Sequence, residues 1–382
     1  MRICYFGTFD PRYPRNRIVI DGLRTNGVEV IECNVPFWGP TEERVYYASG
    51  GWLNVRFLRD LARCYLRLLR KELVISDYDV MLVGYPGQLD MYMARILSWR
   101  RRKPLVFDVL MSLHLILEER GIAASSPLVA RLAYWVERGA CKFADLIILD
   151  TESYRDYFCR KYRLSPDVFR LAPLGADDRA YRPLAEPSAS SQTFKVVYHG
   201  KFVPLHGVEH IVEAARILQD HTNIQFEFIG EGTTKSIAET MATRYALQST
   251  SFTGWIDKEK LSQHLSSADI CLGVFGTTQQ AFCTVPNKIW EGLAMRKAVI
   301  TGDTPAVRDL LAHGQHLYLC EPANPDALAE AILRLYETPV LRERLARQGY
   351  EYCRENFTMA RTGQRFRQHL TELVTQWVEQ NR

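Results

Sequence analysis

Asn287, Lys288 and Glu291 follow directly on Pro286, and their types and spacing suit a phosphate group and a sugar diol. A proline in a helix's first turn leaves the amides of its neighbours free to point at a ligand. A lysine in that turn opposes the helix dipole by roughly 0.3–1 kcal/mol, a cost that a bound phosphate reverses. Glu291 lies about one turn further along the same face, placed to accept hydrogen bonds from two ribose hydroxyls. The competing reading is a solvated Lys/Glu helix face, but the uncharged stretch 277–285 offers those charges no partner.

A second group stands nearer the middle of the chain. A strand-like run ends in His199-Gly200-Lys201, followed by His206-Gly207 and a helical pattern. Glycines let backbone approach a ligand, and a cation at a helix start suits a diphosphate. Lys201 is read as a phosphate ligand; His206 is read either as a second one or as a capping or core residue. The next strand ends in Gly230-Glu231-Gly232, another close approach, although such turns are common. Near the start of the chain, Gly7-Thr8 closes a strand ahead of a helix that carries Arg15. That turn is either structural or a ligand loop, and Arg15 favours the latter.

The elements that must hold these residues alternate. Residues 3–7, 30–33, 80–85, 105–109, 146–149 and 168–171 read as strands, separated by helical patterns at 15–26, 53–73, 89–99, 128–144 and 154–162. The stretch 183–193 breaks the pattern with Pro, Ser and Ala and reads as a linker. The alternation then restarts, with strands at 196–198, 225–229, 251–253, 270–275, 298–301 and 317–320 and terminal helices over 339–380. This predicts two doubly wound α/β domains with buried parallel sheets, and a ligand cleft between the carboxyl ends of their strands. The expected boundaries are 1–175 with 358–382 crossing back, a linker at 176–193, and 194–357.

Composition agrees with a globular enzyme: 382 residues, 47% apolar and 24% charged. The net charge of +4 is too weak to indicate a nucleic-acid partner, and none is expected. Residues 1–180 hold 27 Lys/Arg against 22 Asp/Glu, the remainder 21 against 22, so an anionic surface should meet the first half. No apolar run reaches membrane-spanning length, and the opening Met1-Arg2-Ile3-Cys4-Tyr5 reads as a strand, not a signal peptide. Nine scattered cysteines suggest neither a zinc site nor a disulfide framework, so a cytoplasmic location is expected.

At these residues the chain resembles a family 4 glycosyltransferase of the GT-B fold, over nearly its whole length. Ala172-Pro-Leu-Gly-Ala-Asp177 with Tyr181-Arg-Pro183 is similar to the family's crossing between domains. His199-Gly-Lys201 and His206-Gly207 resemble its diphosphate site. Thr253-Gly-Trp255 and Ala268-Asp269 stand where members contact the base. Pro286-Asn-Lys through Glu291-Gly-Leu-Ala-Met-Arg-Lys-Ala-Val-Ile300 resembles the most specific block, in the branch with P-[NT]-K before the Glu. The stretch 352–373 resembles the closing helix that crosses back to the N-terminal domain.

The resemblance implies two Rossmann-like domains facing across a cleft, a nucleoside-diphosphate sugar in the second, and transfer with retention. Lys201, Lys288 and Glu291 would carry catalysis. Gly7, Gly200, His206, Gly230, Gly232, Trp255 and Asn287 would line the donor, and Arg15, Asp108 and Arg120 the acceptor. No metal or cofactor is expected, because cations and amides can stabilise the leaving diphosphate.

Three departures from the family pattern matter. Cys283 stands where members often carry a second glutamate touching the sugar. Lys201 and His206 replace the usual Arg and Lys, leaving His206 cationic only if protonated. The acceptor-side His-Asp motif is not clearly present: Asp108 ends a strand, His114 falls in an apolar helical stretch as a core histidine would, and Glu119-Arg120 either lines the cleft or pairs internally.

A helix-spaced stripe of Arg56, Arg59, Arg63, Arg67 and Arg70, with Trp99-Arg-Arg-Arg-Lys103, is either a solvated face or a site for anionic lipid heads. The expected acceptor is thus a saccharide, lipid-linked or other hydroxyl, in cell-surface glycan synthesis, with peripheral contact at the inner face of a membrane. Alternatives are a nucleotide-sugar-binding protein without transferase activity, or a sugar-nucleotide epimerase, which needs carboxylates scarce near 275–290.

Overall fold

Short apolar runs of β-branched and aromatic residues form the strands of two parallel sheets in the computed structural model, which describes residues 1–37, 55–184 and 193–380. The chain forms two units, Met1–Leu174 with Met359–Arg382, and Gly175–Thr358. Residues 175–184 belong to the second unit, where Ala176 and Tyr181 are buried; the rest of the expected linker, 185–192, lies outside the described residues.

In the first unit β1 (Arg2–Gly7), β2 (Glu29–Asn34), β3 (Val80–Val83), β4 (Leu105–Asp108), β5 (Leu146–Leu149) and β6 (Phe169–Leu171) stand in the order β2-β1-β3-β4-β5-β6. The pairings are parallel, with Ile3 against Val30 on one side and Val80 on the other. The helices in chain order are α1 (Pro14–Thr25), α2 (Val55–Leu73), α3 (Asp90–Arg101), α4 (Leu113–Glu119), α5 (Ile122–Ser125), α6 (Pro127–Phe143) and α7 (Glu152–Tyr162). Strands β3, β4 and β5 are buried throughout, as strands covered on both faces must be.

The second unit holds β7 (Phe194–His199), β8 (Ile224–Ile229), β9 (Thr250–Thr253), β10 (Ile270–Leu272), β11 (Ala298–Gly302) and β12 (Tyr318–Cys320), ordered β12-β11-β10-β7-β8-β9. Its helices are α8 (Val208–Ile217), α9 (Lys235–Arg244), α10 (Lys258–Ser266), α11 (Gln279–Cys283), α12 (Asn287–Ala294), α13 (Pro305–Leu310), α14 (Pro325–Glu337) and α15 (Pro339–Asn356). The last helix, α16 (Met359–Gln380), returns to the first unit and packs on α1; a Cβ on Gly363 would overlap the backbone of Gly22.

The strand order reverses direction between β7 and β10, because β8 lies on one side of β7 and β10 on the other. Such a switch point opens a crevice outside the strands' carboxyl ends. The residues following β7 and β10 therefore share one edge of the second sheet. Of the stretches with expected chemistry, 199–207 begins at the end of β7 and 286–291 follows β10 after the short α11.

Candidate functional site

The start of α12 is fixed from below. Ile289, Trp290 and Leu293 are buried, and Trp290 stacks on Phe357 at 4.1 Å. Pro286 is the N-cap residue, in an extended conformation, and Asn287 begins the helix. The amides of Asn287 and Lys288 donate to no other described residue, so the first turn presents free donors.

Lys288 is only 5% exposed. Its Nζ lies 3.9 Å from the centre of the Tyr198 ring and 3.1 Å from His206 Nδ1, with no carboxylate at ion-pair distance among the described residues. Burial pushes its pKa well below the ordinary lysine value, opposed only by the more distant Glu291. A buried ammonium without a counter-ion is costly, and an anion is what would balance it.

Around it stand the other expected donor residues. Gly200, at φ +125°, carries a backbone on which a Cβ would stand 3.2 Å from Lys288 Nζ. Gly230, at φ +135°, faces it, and a Cβ there would overlap the Gly200 carbonyl oxygen. Both positions need glycine for conformation and for clearance. Gly232 lies just beyond, against the Phe202 backbone. The Gly254 backbone runs beside Glu231, and the following Trp255 is exposed. Lys201 is half-buried.

His206 is buried beside Lys288. Its Nδ1 faces the Lys201 carbonyl and the Tyr198 hydroxyl (2.8 Å). Burial, and then Lys288, push its pKa well below the histidine norm. Both effects favour the uncharged ring, which contacts the Lys201 carbonyl and stands 3.1 Å from Lys288 Nζ. A polar side chain packed into a sheet edge is desolvated by segments distant in sequence.

His199, at the end of β7, reaches Glu291. Its Nε2–H donates to Glu291 Oε2 at 2.7 Å, across 92 positions of sequence, while Nδ1 is buried without a partner. The pair holds the Glu291 carboxylate in one orientation. The signal available was only that a histidine precedes Gly200 at a strand end. Cys283 is buried at the end of α11, where it accepts from Gln279 Nε2 at 3.4 Å. On the same segment the buried Gln280 has both amide atoms unpaired, as is Thr284 Oγ1. Unsatisfied buried polar atoms are rare and call for an explanation.

The acceptor-side expectations fare differently. Arg15 and Asp108 are fully buried, not presented at a surface. Arg15 Nη2 donates to Asp108 Oδ1 at 2.7 Å and Nη1 to Asp150 Oδ1 at 2.5 Å and to the Ala172 carbonyl. Burial opposes the guanidinium charge, but the two carboxylates outweigh it. Asp150, desolvated and beside Asp108, is pushed up to about 6. This triad ties α1 to β4 and to the residue after β5, so Arg15 and Asp108, expected as acceptor contacts, are engaged internally. Arg120 is half-buried at the end of α4, and His114 is buried.

Gly7 packs against Asp90, where a Cβ would stand 2.6 Å from Oδ2. Asp90 accepts from the Thr8 amide (2.7 Å) and Tyr65 hydroxyl (2.9 Å). That closes the Gly7-Thr8 turn internally. Gly7, Arg15, Asp108 and Arg120 lie in the first unit, and the Lys288 cluster in the second.

Arg59, Arg63, Arg67 and Arg70 are exposed on α2; the Arg56 side chain lies outside the described residues. Arg101 and Lys103, expected at a surface, are instead taken by Glu72 (2.9 Å) and Asp77 (3.0 Å). No helix among the described residues is long and apolar enough to cross a membrane, and no group of three or more His, Cys, Asp or Glu among them could hold a metal ion.

Residues 7–175 match the family described as Glycosyl transferase 4-like domain, and residues 193–338 match Glycosyl transferases group 1. The chain is 26% identical over 242 residues to the alpha-D-kanosaminyltransferase of Streptomyces kanamyceticus, an alignment covering 61% of each protein. It thus spans less than two thirds of that relative. Among solved structures, sucrose-phosphate synthase from Thermosynechococcus elongatus superposes with a TM-score of 0.74 at 16% identity, covering 98% of this chain and 99% of that one. Anabaena HepE in complex with UDP-glucose superposes with a TM-score of 0.70 at 16% identity, covering 97% of this chain and 100% of that one. Both likenesses concern the fold.

Proposed function

The chain belongs to the glycosyltransferases of the family 4 type with the GT-B fold, and on that premise we propose that it transfers a sugar, with retention and without a metal, from a nucleoside-diphosphate sugar to a saccharide, lipid-linked or other hydroxyl acceptor. The observation that carries the donor reading is the buried Lys288 side chain, without a counter-ion among the described residues, beside free helix amides and a glycine-lined backbone. In this reading Lys288, Lys201 and the Asn287 and Lys288 amides hold the diphosphate and stabilise its departure. Glu291, oriented by His199, takes the ribose diol. Trp255 lies toward the base. Gln280 and Thr284 supply the polar atoms nearest to Cys283 in sequence, and they are the candidates for sugar hydroxyls. The scattered cysteines fit a cytoplasmic site of action, and cell-surface glycan synthesis is the proposed setting.

Thermal-shift screening of nucleoside diphosphates and their sugars, followed by donor hydrolysis and transfer assays, tests this reading. Glu291→Ala is expected to weaken donor binding about 10- to 100-fold, the worth of hydrogen bonds to a carboxylate. Unchanged donor affinity in that variant refutes the ribose assignment. Donor binding without turnover would favour a nucleotide-sugar-binding protein.

The depressed Lys288 pKa has a pH signature. A diphosphate restores the charged form, so binding takes up a proton. Affinity is expected to fall as pH rises, by up to about tenfold per unit between the free and bound pKa values. Calorimetry in buffers of different ionisation enthalpy reads the uptake; no proton exchange together with pH-independent affinity would show that Lys288 stays charged throughout.

A further inference from the structure

We infer that the outer faces of α2, α3 and α6 form a docking surface for an anionic lipid bilayer. The surface stands on observations separate from the donor site. On α3, Ile96 and Trp99 stand at helical spacing and point outward, 65% and 62% exposed, while Tyr92 on the same row leans onto α6. On α6, Leu128, Leu132 and Trp135 repeat the same spacing, with Leu128 78% and Trp135 53% exposed. The opposite sides of these helices already bury Met91, Ala94 and Leu97, and Ala133 and Ala140, so the outward rows are not spare core. The two rows adjoin, because the Tyr92 hydroxyl donates to the Val136 carbonyl at 3.1 Å and its ring meets Phe143 edge-on. α2 is tied alongside by Arg101–Glu72 and Tyr65–Asp90.

Charge selects the occupant. The three helices carry four acids, Asp60, Glu72, Asp90 and Glu137, and three of these are buried. Outward they present cations instead: Arg67 and Arg70 on α2, Arg100 beside Trp99, and Arg131 between Leu128 and Leu132, none ion-paired among the described residues. Arg59 and Arg63 share the one exposed acid, Asp60. A second copy docking by this face would set cations against cations. Nucleic acid would leave five outward apolar side chains without a partner. A bilayer satisfies both sets, with aromatic and aliphatic side chains at the headgroup boundary and arginines among anionic heads.

Flotation of the full chain with vesicles of phosphatidylcholine alone, or mixed with phosphatidylglycerol, tests the surface without reference to any sugar. Binding is expected to the mixed vesicles, with a blue shift of tryptophan emission, and to weaken with salt. Arg67→Gln with Arg70→Gln is expected to lower the partition coefficient about 30-fold. Ile96→Ser with Leu132→Ser is expected to abolish the blue shift while leaving thermal stability near that of the parent. Several results overturn the inference: equal binding to both vesicles, no binding, binding untouched by both variant pairs, or self-association lost in Ile96→Ser/Leu132→Ser without any vesicle binding. Nucleoside-diphosphate binding is scored in parallel, so failure here is distinguishable from failure of the donor site.

Discussion

Lys288→Met is expected to lower nucleoside-diphosphate affinity by about 100- to 1,000-fold and, at the same time, to raise the melting temperature of the second unit. The loss follows from removing the buried ammonium carried by the first turn of α12; a desolvated charge contact is worth roughly 2–5 kcal/mol. The stabilisation follows from the same burial. Methionine keeps the length of the side chain, packs its sulfur over the Tyr198 ring and carries no charge to desolvate. Replacing a buried charged group by an apolar one gains on the order of 1 kcal/mol, or a few degrees for a unit of this size.

The pH dependence of this gain has a fixed sign. The folded-state pKa of Lys288 lies below its unfolded value, so between the two the unfolded chain binds more protons and wild-type stability rises with pH. The gap between Lys288→Met and wild type therefore narrows on approaching the unfolded lysine pKa. Scanning calorimetry and titration of a nucleoside diphosphate measure both effects. A fall in melting temperature would show that Lys288 supports the fold, and unchanged affinity would remove it from the donor site.

Arg15→Met is expected to do the opposite, costing stability and sparing the donor site. It leaves Asp108 and Asp150 buried side by side without their shared cation, and breaking a buried ion pair from one side costs roughly 3–5 kcal/mol. A drop of roughly 10 °C in the first unit's transition follows from that figure. Adding Asp108→Asn should recover part of the loss, because one of the two stranded charges is gone. Diphosphate affinity, measured well below the transition, should stay at the wild-type value. Normal stability with selective loss of transfer would instead restore Arg15 and Asp108 to the acceptor.

The two variants also separate what the sequence made legible from what it did not. Element type and order could be read because they rest on local periodicity. Apolar runs between 3.6-period segments fall where β1 to β12 stand, with ends displaced by a few residues. The run 286–291 could be singled out because its chemistry is contiguous: a proline, two donors and a carboxylate within one helical turn and a half. The short α11, holding Gln280 and Cys283, is not legible in the sequence because five residues carry no period.

What only the tertiary structure decided are the partners of each charge. Beside a helix start Arg15 reads as a ligand cation, yet the fold brings Asp108 and Asp150 to it across 93 and 135 positions. His199 reaches Glu291 in the same way. The charge of His206 likewise depends on burial beside Lys288, a property of the packed sheet edge. Periodicity is a property of adjacent residues and survives in one dimension. Desolvation and ion pairing depend on which distant segments share a volume, and in a parallel sheet those segments are always separated by at least a helix.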